Sequence, residues 1–292
     1  MPAIYAGNSD FILIPDDVSN SETHTLPYHD LVEAKKINLI HKINLPKIVP
    51  YINKVIPWGW DAAINHTLEE NGIPSSLLKN KEEIENIRRL SHRRIVIPFR
   101  KRVAEILGES PKYLPKELFE TSQVEEYLDV HPKAFFKAPW SSSGRGIVVS
   151  DHISRKGLLE WAHGIIRRQG SILVEPAWSR SLDFASEWII ENGEAEFIGY
   201  SVFETSSRGK YHGNIRASQE TLSDMIRLNA PKFSPDLIKA QTLALKEIIV
   251  PYYEGPLGID MLADTSGSIN PCVEINLRLT MGLILLDFQK KD

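Results

Sequence analysis

Between Gly258 and Arg278 the chain reads as two strand-like runs, one ending with Gly258-Ile259-Asp260 and one holding Val273-Glu274-Ile275-Asn276-Leu277-Arg278, with Asp264-Thr265-Ser266-Gly267-Ser268 between them. The joint has the composition of a hairpin turn, so the two runs are expected to pair antiparallel and to belong to a larger sheet. Glu274, Asn276 and Arg278 alternate with Ile275 and Leu277. Strand side chains repeat with period two, which puts the carboxylate, carboxamide and guanidinium on one face and the apolar residues on the other. Pairing brings Asp260 beside Glu274 and Asn276. Three hard oxygen donors on one face suit Mg²⁺, which takes a few protein oxygens and completes its shell with water and phosphate. Arg278 then lies beside the same anionic ligand.

The 292 residues suffice for one large domain or two to three small ones, and 42% apolar with 25% charged residues is the balance of a globular chain with a sizeable core. A net charge of −4 gives no global basicity to attract nucleic acid or an anionic membrane. The single cysteine, Cys272, excludes an internal disulfide and a cysteine-rich zinc site. The first residues lack a signal-peptide pattern, and no apolar run approaches the roughly 20 residues that span a bilayer. A cytoplasmic protein is expected.

The periodicity predicts an α/β unit over residues 1–90. It holds short strands within Ile4 to Ile14 and at Leu45 to Pro50, a helix from Asp61 to Glu70 stopped by Asn71-Gly72, and a helix from Lys81 to Leu90. A helix from Arg93 to Leu107 is expected to carry its basic residues outward. Ala134 to Ala138 and Ile147 to Val149 read as strands, Lys156 to Arg168 as a helix, and Ser171 to Glu175 as a strand ending in an acid. Strands then dominate, at Ser186 to Ile190, Ala195 to Phe203 and Gly213 to Ala217, before a helix from Pro235 to Val250 and a short apolar helix after Gly282.

A second chemical element is Phe136-Lys137-Ala138-Pro139-Trp140-Ser141-Ser142-Ser143-Gly144-Arg145-Gly146. A lysine leaving a strand into a Ser/Gly-rich loop suits polyphosphate, because small residues let backbone N–H groups approach and hydroxyls add donors. Lys137 supplies a point charge and Arg145 a planar fork. The order of a Walker loop is absent, and the same stretch also reads as a hairpin turn with a chance lysine.

Taken in order, the strand lysine with its loop, the acidic Glu175, and Asp260 with Glu274-x-Asn276 resemble the ATP site of the ATP-grasp superfamily over most of residues 90 to 282. The resemblance implies an α/β (α+β) protein with an N-terminal α/β pre-ATP-grasp domain (1–90), a small lid domain (91–175) and a core domain built on an antiparallel sheet (176–292). It implies ATP bound between lid and core. Lys137 would contact the phosphates under the loop Ser141, Ser142, Ser143, Gly144, Arg145 and Gly146. Glu175, Pro176, Ala177 and Trp178 would line adenine, and Asp183 matches the ribose-binding acid with its spacing shifted by one residue. Asp260, Glu274 and Asn276 would hold one or two Mg²⁺, or Mn²⁺, and Arg278 would face the reacting substrate. The family's other nucleotide lysine is absent; Ser91-His92-Arg93-Arg94 stands there, so Arg93 or Arg94 takes its place. The implied activity is ATP-dependent ligation of a small carboxylate to an amine or thiol through an acylphosphate, with Lys137 and Arg278 as the catalytic charges. A small-molecule kinase and a nucleotide-binding module without turnover are the alternatives. Oligomeric state is open.

Other residues read more plainly. Glu187, alternating with apolar neighbours, is expected to be a solvated or paired surface acid. Arg208, Lys210, His212 and Arg216 form a basic segment that is either a solvated loop or a site for an acidic substrate. Trp58 and Trp60 are expected to pack the N-terminal unit, and Cys272 to lie in the core.

Overall fold

The computed structural model describes residues 6, 7, 10–14, 32, 33, 35–111, 114–141, 146–205 and 211–289, with side chains through residue 286. Ser142, Ser143, Gly144 and Arg145 of the expected phosphate loop, and Arg208 and Lys210 of the basic segment, lie outside the described residues. The chain divides into two compact units, Met1–Ile87 with Ile284–Asp292, and Arg88–Leu283.

In the first unit β1 (Phe11–Ile14) pairs in parallel with β2 (Asn38–His41). Alternation along β1 buries Ile12 and Ile14 against Ala6 and Ile37. A second cluster joins Ile40, Leu45, Leu68 and Ile73. The strand expected at Leu45 to Pro50 is instead a run of short helical turns, with Pro46 and Pro50 in first-turn positions. Proline there forfeits an N–H that has no helical partner anyway, and its fixed φ suits the turn. Helix α1 (Ala62–Glu70) starts where the Asp61 carboxylate accepts the Ile64 N–H at 2.8 Å, and Gly72 follows at φ +83°. Trp60 is packed against the second cluster, as expected, whereas Trp58 remains 38% exposed. Helix α2 (Lys81–Leu90) leads onward.

The second unit contains two sheets. The smaller is antiparallel, in the order β3 (Lys116–Leu118), β6 (Ile172–Pro176), β4 (Ala134–Lys137), β5 (Ile147–Val149). Ala134, Phe136, Ile172 and Val174 turn to one face and bury against α4 (Thr121–Val130) and α5 (Arg155–Gln169). By alternation Lys137 and Glu175 turn to the other. Helix α3 (Val96–Ile106) precedes this sheet and buries Val96, Phe99, Arg100, Val103 and Ala104. The spacing i, i+3, i+4, i+7, i+8 is that of an inward stripe, and Arg100 is on it. Arg93, in the 3₁₀ turn before α3, is buried as well. The expectation that the basic residues of this stretch point outward is therefore wrong for both. Each has a carboxylate partner, buried Glu175 for Arg100 and half-buried Glu274 for Arg93, which overrides the exposure normal for arginine.

The larger sheet is antiparallel in the order β11 (Ile269–Asn276), β10 (Gly255–Asp264), β7 (Arg180–Glu191), β8 (Glu194–Thr205), β9 (Tyr211–Asn214). Register divides its faces. Phe184, Trp188, Val202, Ile259 and Met261 form a buried apolar face, covered by α6 (Gln219–Asn229) and α7 (Asp236–Ile248). Buried Gln241 of α7 serves this face. It accepts from Ser186 Oγ at 3.0 Å and donates to the Pro271 carbonyl at 2.9 Å, while the Trp188 indole donates to Ser186 Oγ. Asp183, Ala185, Glu187, Ser201, Gly258, Asp260, Glu274 and Asn276 turn to the opposite, polar face. Cys272 is fully buried, as expected of a core residue. A final helix, α8 (Met281–Gln289), follows β11.

Candidate functional site

Lys137 ends β4 and Glu175 is the penultimate residue of the neighbouring β6, so the two meet diagonally on the face turned away from α4 and α5. The Lys137 ammonium donates to Glu175 Oε1, and Arg100 Nη1 lies 3.3 Å from Oε2. All three residues are buried. A buried carboxylate between two cations leaves the trio with one net positive charge, facing the recess also lined by Arg93, Val96 and Val273.

Arg93 is the bridge from this corner to the hairpin. Nη1 donates to the Ala138 carbonyl and to Ser141 Oγ, both at 2.6 Å, and Nη2 donates to Glu274 Oε1 at 3.0 Å. Its Nε–H is buried with no acceptor among the described residues. The backbone at the loop base is equally tight, with the Ala138 N–H donating to the Gly146 carbonyl at 2.7 Å. A Cβ on Gly146 would stand 2.3 Å from Ser141 Oγ, so only glycine closes the loop this way. Arg94 does not join this cluster. Its guanidinium is half exposed and pairs with Glu117 at 2.9 Å. Between them, buried His92 is pushed down to about 4 by desolvation and then by the two arginine charges, which keeps the ring neutral.

The hairpin has the expected register, with Asp260 opposite Glu274 and Gly258 opposite Asn276. The Asn276 amide donates to Asp260 Oδ2 at 3.0 Å, and Arg278 Nη2 donates to Asn276 Oδ1 at 2.9 Å. Asp260, enclosed by protein but still reached by solvent, is pushed up to about 8 by desolvation and then by the carboxylates of Glu274 and Glu187. Arg278 and Asn276 oppose the shift. Crowded carboxylates on a polar sheet face call for a cation. Among the described residues no three His, Cys, Asp or Glu side chains converge to hold a metal on their own. Asp260, Glu274 and Asn276 are the oxygen donors on this face that could hold such a cation.

Asp183 accepts from Thr205 Oγ1 at 2.5 Å and pairs with Arg180 at 3.1 Å; burial nonetheless raises its pKa. Ala177 donates its N–H to the Lys133 carbonyl at 3.2 Å, and Pro176, Ala177 and Trp178 follow Glu175 half-buried between the sheets. His212 is exposed on the edge strand β9, and Arg216 is exposed beyond it.

Glu187 corrects the surface-acid expectation. It is 1% exposed, accepting from Ser201 Oγ at 2.7 Å and Thr280 Oγ1 at 2.6 Å. Its apolar sequence neighbours belong to the covered face of β7, and its own face is closed by the turn after β11. Burial pushes it up to about 7, against the two hydroxyl donors and Arg278. A carboxyl whose pKa is raised by folding adds stability that is full below its unfolded value and is lost as pH rises through its folded value. Glu187 is therefore expected to withdraw about 3 kcal/mol between roughly pH 4.5 and 7. Asp260 acts with the same sign up to about pH 8. Thermal melts of Glu187→Gln should show a shallower fall across that window; an unchanged slope would exclude Glu187 as a contributor.

No family model matches the chain. A curated relative, the "[Butirosin acyl-carrier protein]--L-glutamate ligase" of Niallia circulans, is 29% identical over 157 residues, 53% of this chain and 35% of the relative. The chain thus spans about a third of that relative's length. Among solved structures, biotin carboxylase from Campylobacter jejuni superposes with a TM-score of 0.61 at 14% identity, over 96% of this chain and 64% of that one. D-alanyl-alanine synthetase A from Vibrio cholerae gives 0.56 at 14% identity, over 98% and 94%.

Proposed function

The chain has the ATP-grasp fold, and from that premise we propose an enzyme that uses Mg²⁺ and ATP to join a carboxylate to an amine or thiol. The observation that carries the reading is Arg93. A buried guanidinium ties the loop base at Ala138 and Ser141 to Glu274, and keeps one N–H unpartnered among the described residues. That donor suits a phosphate oxygen lying between Lys137 and the hairpin carboxylates.

In this reading Lys137, held by Glu175, presents a fixed positive charge to the phosphates, and Arg93 adds a planar fork. Glu175 to Trp178 line adenine, and Asp183 takes the ribose. Asp260, Glu274 and Asn276 would hold Mg²⁺, which neutralises phosphate charge. The substrate carboxylate oxygen attacks the γ-phosphorus while the bond to the β-bridging oxygen breaks, giving an acylphosphate and ADP. The amine or thiol then attacks the acyl carbon, phosphate leaves with the bonding pair, and the nucleophile's proton is lost. Arg278 faces the reacting carboxylate and transferred phosphoryl group. Phosphoryl transfer needs positioning and charge neutralisation more than a protein nucleophile, and this inventory supplies both. The relative from Niallia circulans is named for ligating L-glutamate, so amino-acid carboxylates are the first substrates to try.

Glu274→Ala and Lys137→Ala are each expected to weaken Mg²⁺-dependent ATP binding about tenfold by calorimetry. Unchanged affinity in both would sink the site assignment. A screen for ADP and free phosphate release with amino acids, short peptides and polyamines identifies the substrates. A product that retains the phosphate would show a kinase instead.

A further inference from the structure

Glu187 has no part in the chemistry above, yet among the described residues it is the most deeply buried carboxylate. Its Oε2 accepts from Thr280 Oγ1 at 2.6 Å, and Thr280 Oγ1 in turn accepts the Leu283 N–H at 3.0 Å in the first turn of α8. Its Oε1 accepts from Ser201 Oγ at 2.7 Å, on β8. The turn from Leu277 to Gly282 lies flat against this carboxylate. A Cβ on Gly282 would stand 2.0 Å from Oε1, and one on Gly258 would stand 3.0 Å from Oε2 and 2.7 Å from Thr280 Cγ2. Arg278 sits in this turn, two residues before Thr280. Its Nη1 donates to the Leu279 carbonyl at 3.1 Å and its Nη2 to Asn276 Oδ1 at 2.9 Å, so the guanidinium is oriented by the backbone of the turn together with the end of β11.

We propose that Glu187 is a positioning residue for Arg278: through Thr280 it fastens the turn 277–282 to β7 and so fixes the guanidinium at the reacting end of the site. The inference rests on the reading that Arg278 faces the transferred phosphoryl group. A carboxylate suits the task because it offers two strong acceptors, one for each hydroxyl, and its charge complements the arginine. A glutamine offers one acceptor and forces a hydroxyl to turn away.

The test uses the full chain saturated with Mg·ADP and titrated with orthovanadate, a phosphoryl mimic. Arg278→Ala, Thr280→Val and Glu187→Gln are each expected to weaken vanadate about tenfold, with Mg·ADP affinity held within about twofold. Thr280→Ser, which restores the hydroxyl, should bind vanadate like the wild type. If Arg278→Ala loses vanadate while Thr280→Val and Glu187→Gln retain it, the latch is overturned and the site reading stands. If Arg278→Ala itself binds normally, or the wild type binds no vanadate, the reading of Arg278 fails and the latch with it. Equal weakening of Mg·ADP and vanadate marks a merely structural role and also overturns the proposal. Should Thr280→Val fail to fold, Glu187→Gln decides, because it preserves volume and one acceptor.

Discussion

Glu175→Ala is expected to lower the unfolding free energy by about 3–5 kcal/mol, because it leaves two buried cations without the carboxylate they share. Lys137 and Arg100 have side chains 10% and 2% exposed, with Glu175 between them at 6%. In water either pair would matter little; here neither ammonium nor guanidinium recovers its hydration once the carboxylate is gone. The contrast is Arg155 with Asp129, 2.8 Å apart but both more than half exposed. Asp129→Ala should leave stability almost unchanged, because solvent screens an exposed pair. Urea unfolding of the two variants side by side separates the cases. Equal midpoints would show that the buried trio is not energetically coupled.

Arg93→Ala is expected to reduce Mg·ATP affinity about a hundredfold, through loss of the one N–H left for phosphate together with the ties that hold Ser141 and Glu274 in place. Arg93→Lys should recover little of it, since an ammonium cannot reproduce a fork spanning Ala138, Ser141 and Glu274. Arg94→Ala is the control, expected within about threefold of the wild type, because its side chain faces Glu117. Wild-type affinity in Arg93→Ala, measured by calorimetry, would remove this residue from the nucleotide site.

The hairpin is legible in the sequence because a period of two leaves no freedom: if Ile275 faces the core, Glu274 and Asn276 face away. Register then follows, and Asp260 does stand opposite Glu274. Charge was the less faithful guide. Arg100 shares the inward stripe of Phe99 and Val103, but its partner Glu175 is 75 residues distant, so local pattern favours the outward reading. Glu187 misleads for the same reason, since Thr280 lies 93 residues away. Two helices escaped notice although their caps can be read. Glu120 and Gln123 form a capping box for α4, and the Ser218 hydroxyl accepts the Thr221 N–H at the start of α6. Leu45 to Pro50 reads as a strand because its apolar residues are too few to distinguish the periods, whereas its prolines carry helical turns.

The bulge in the hairpin gives the site a private frame of reference. Asp260 pairs with Glu274 but Leu262 pairs with Asn270, so two residues on one strand are set against four on the other. Beyond this slip the Asp264 carboxylate accepts the Ser266 and Ser268 N–H groups at 2.9 Å, and the Thr265 N–H donates to the Ser179 carbonyl at 2.7 Å. The proposed ligand positions are thus counted from the Arg278 end of the strand, and the tip has its own supports. Residues added among Thr265 and Ser266 lengthen the tip and leave the register beneath it in place, which makes this turn a natural graft point for a reporter or tag. One residue added between Glu274 and Asn276 does the opposite: counted from the Arg278 end, it turns the Glu274 carboxylate toward the core and away from Asp260.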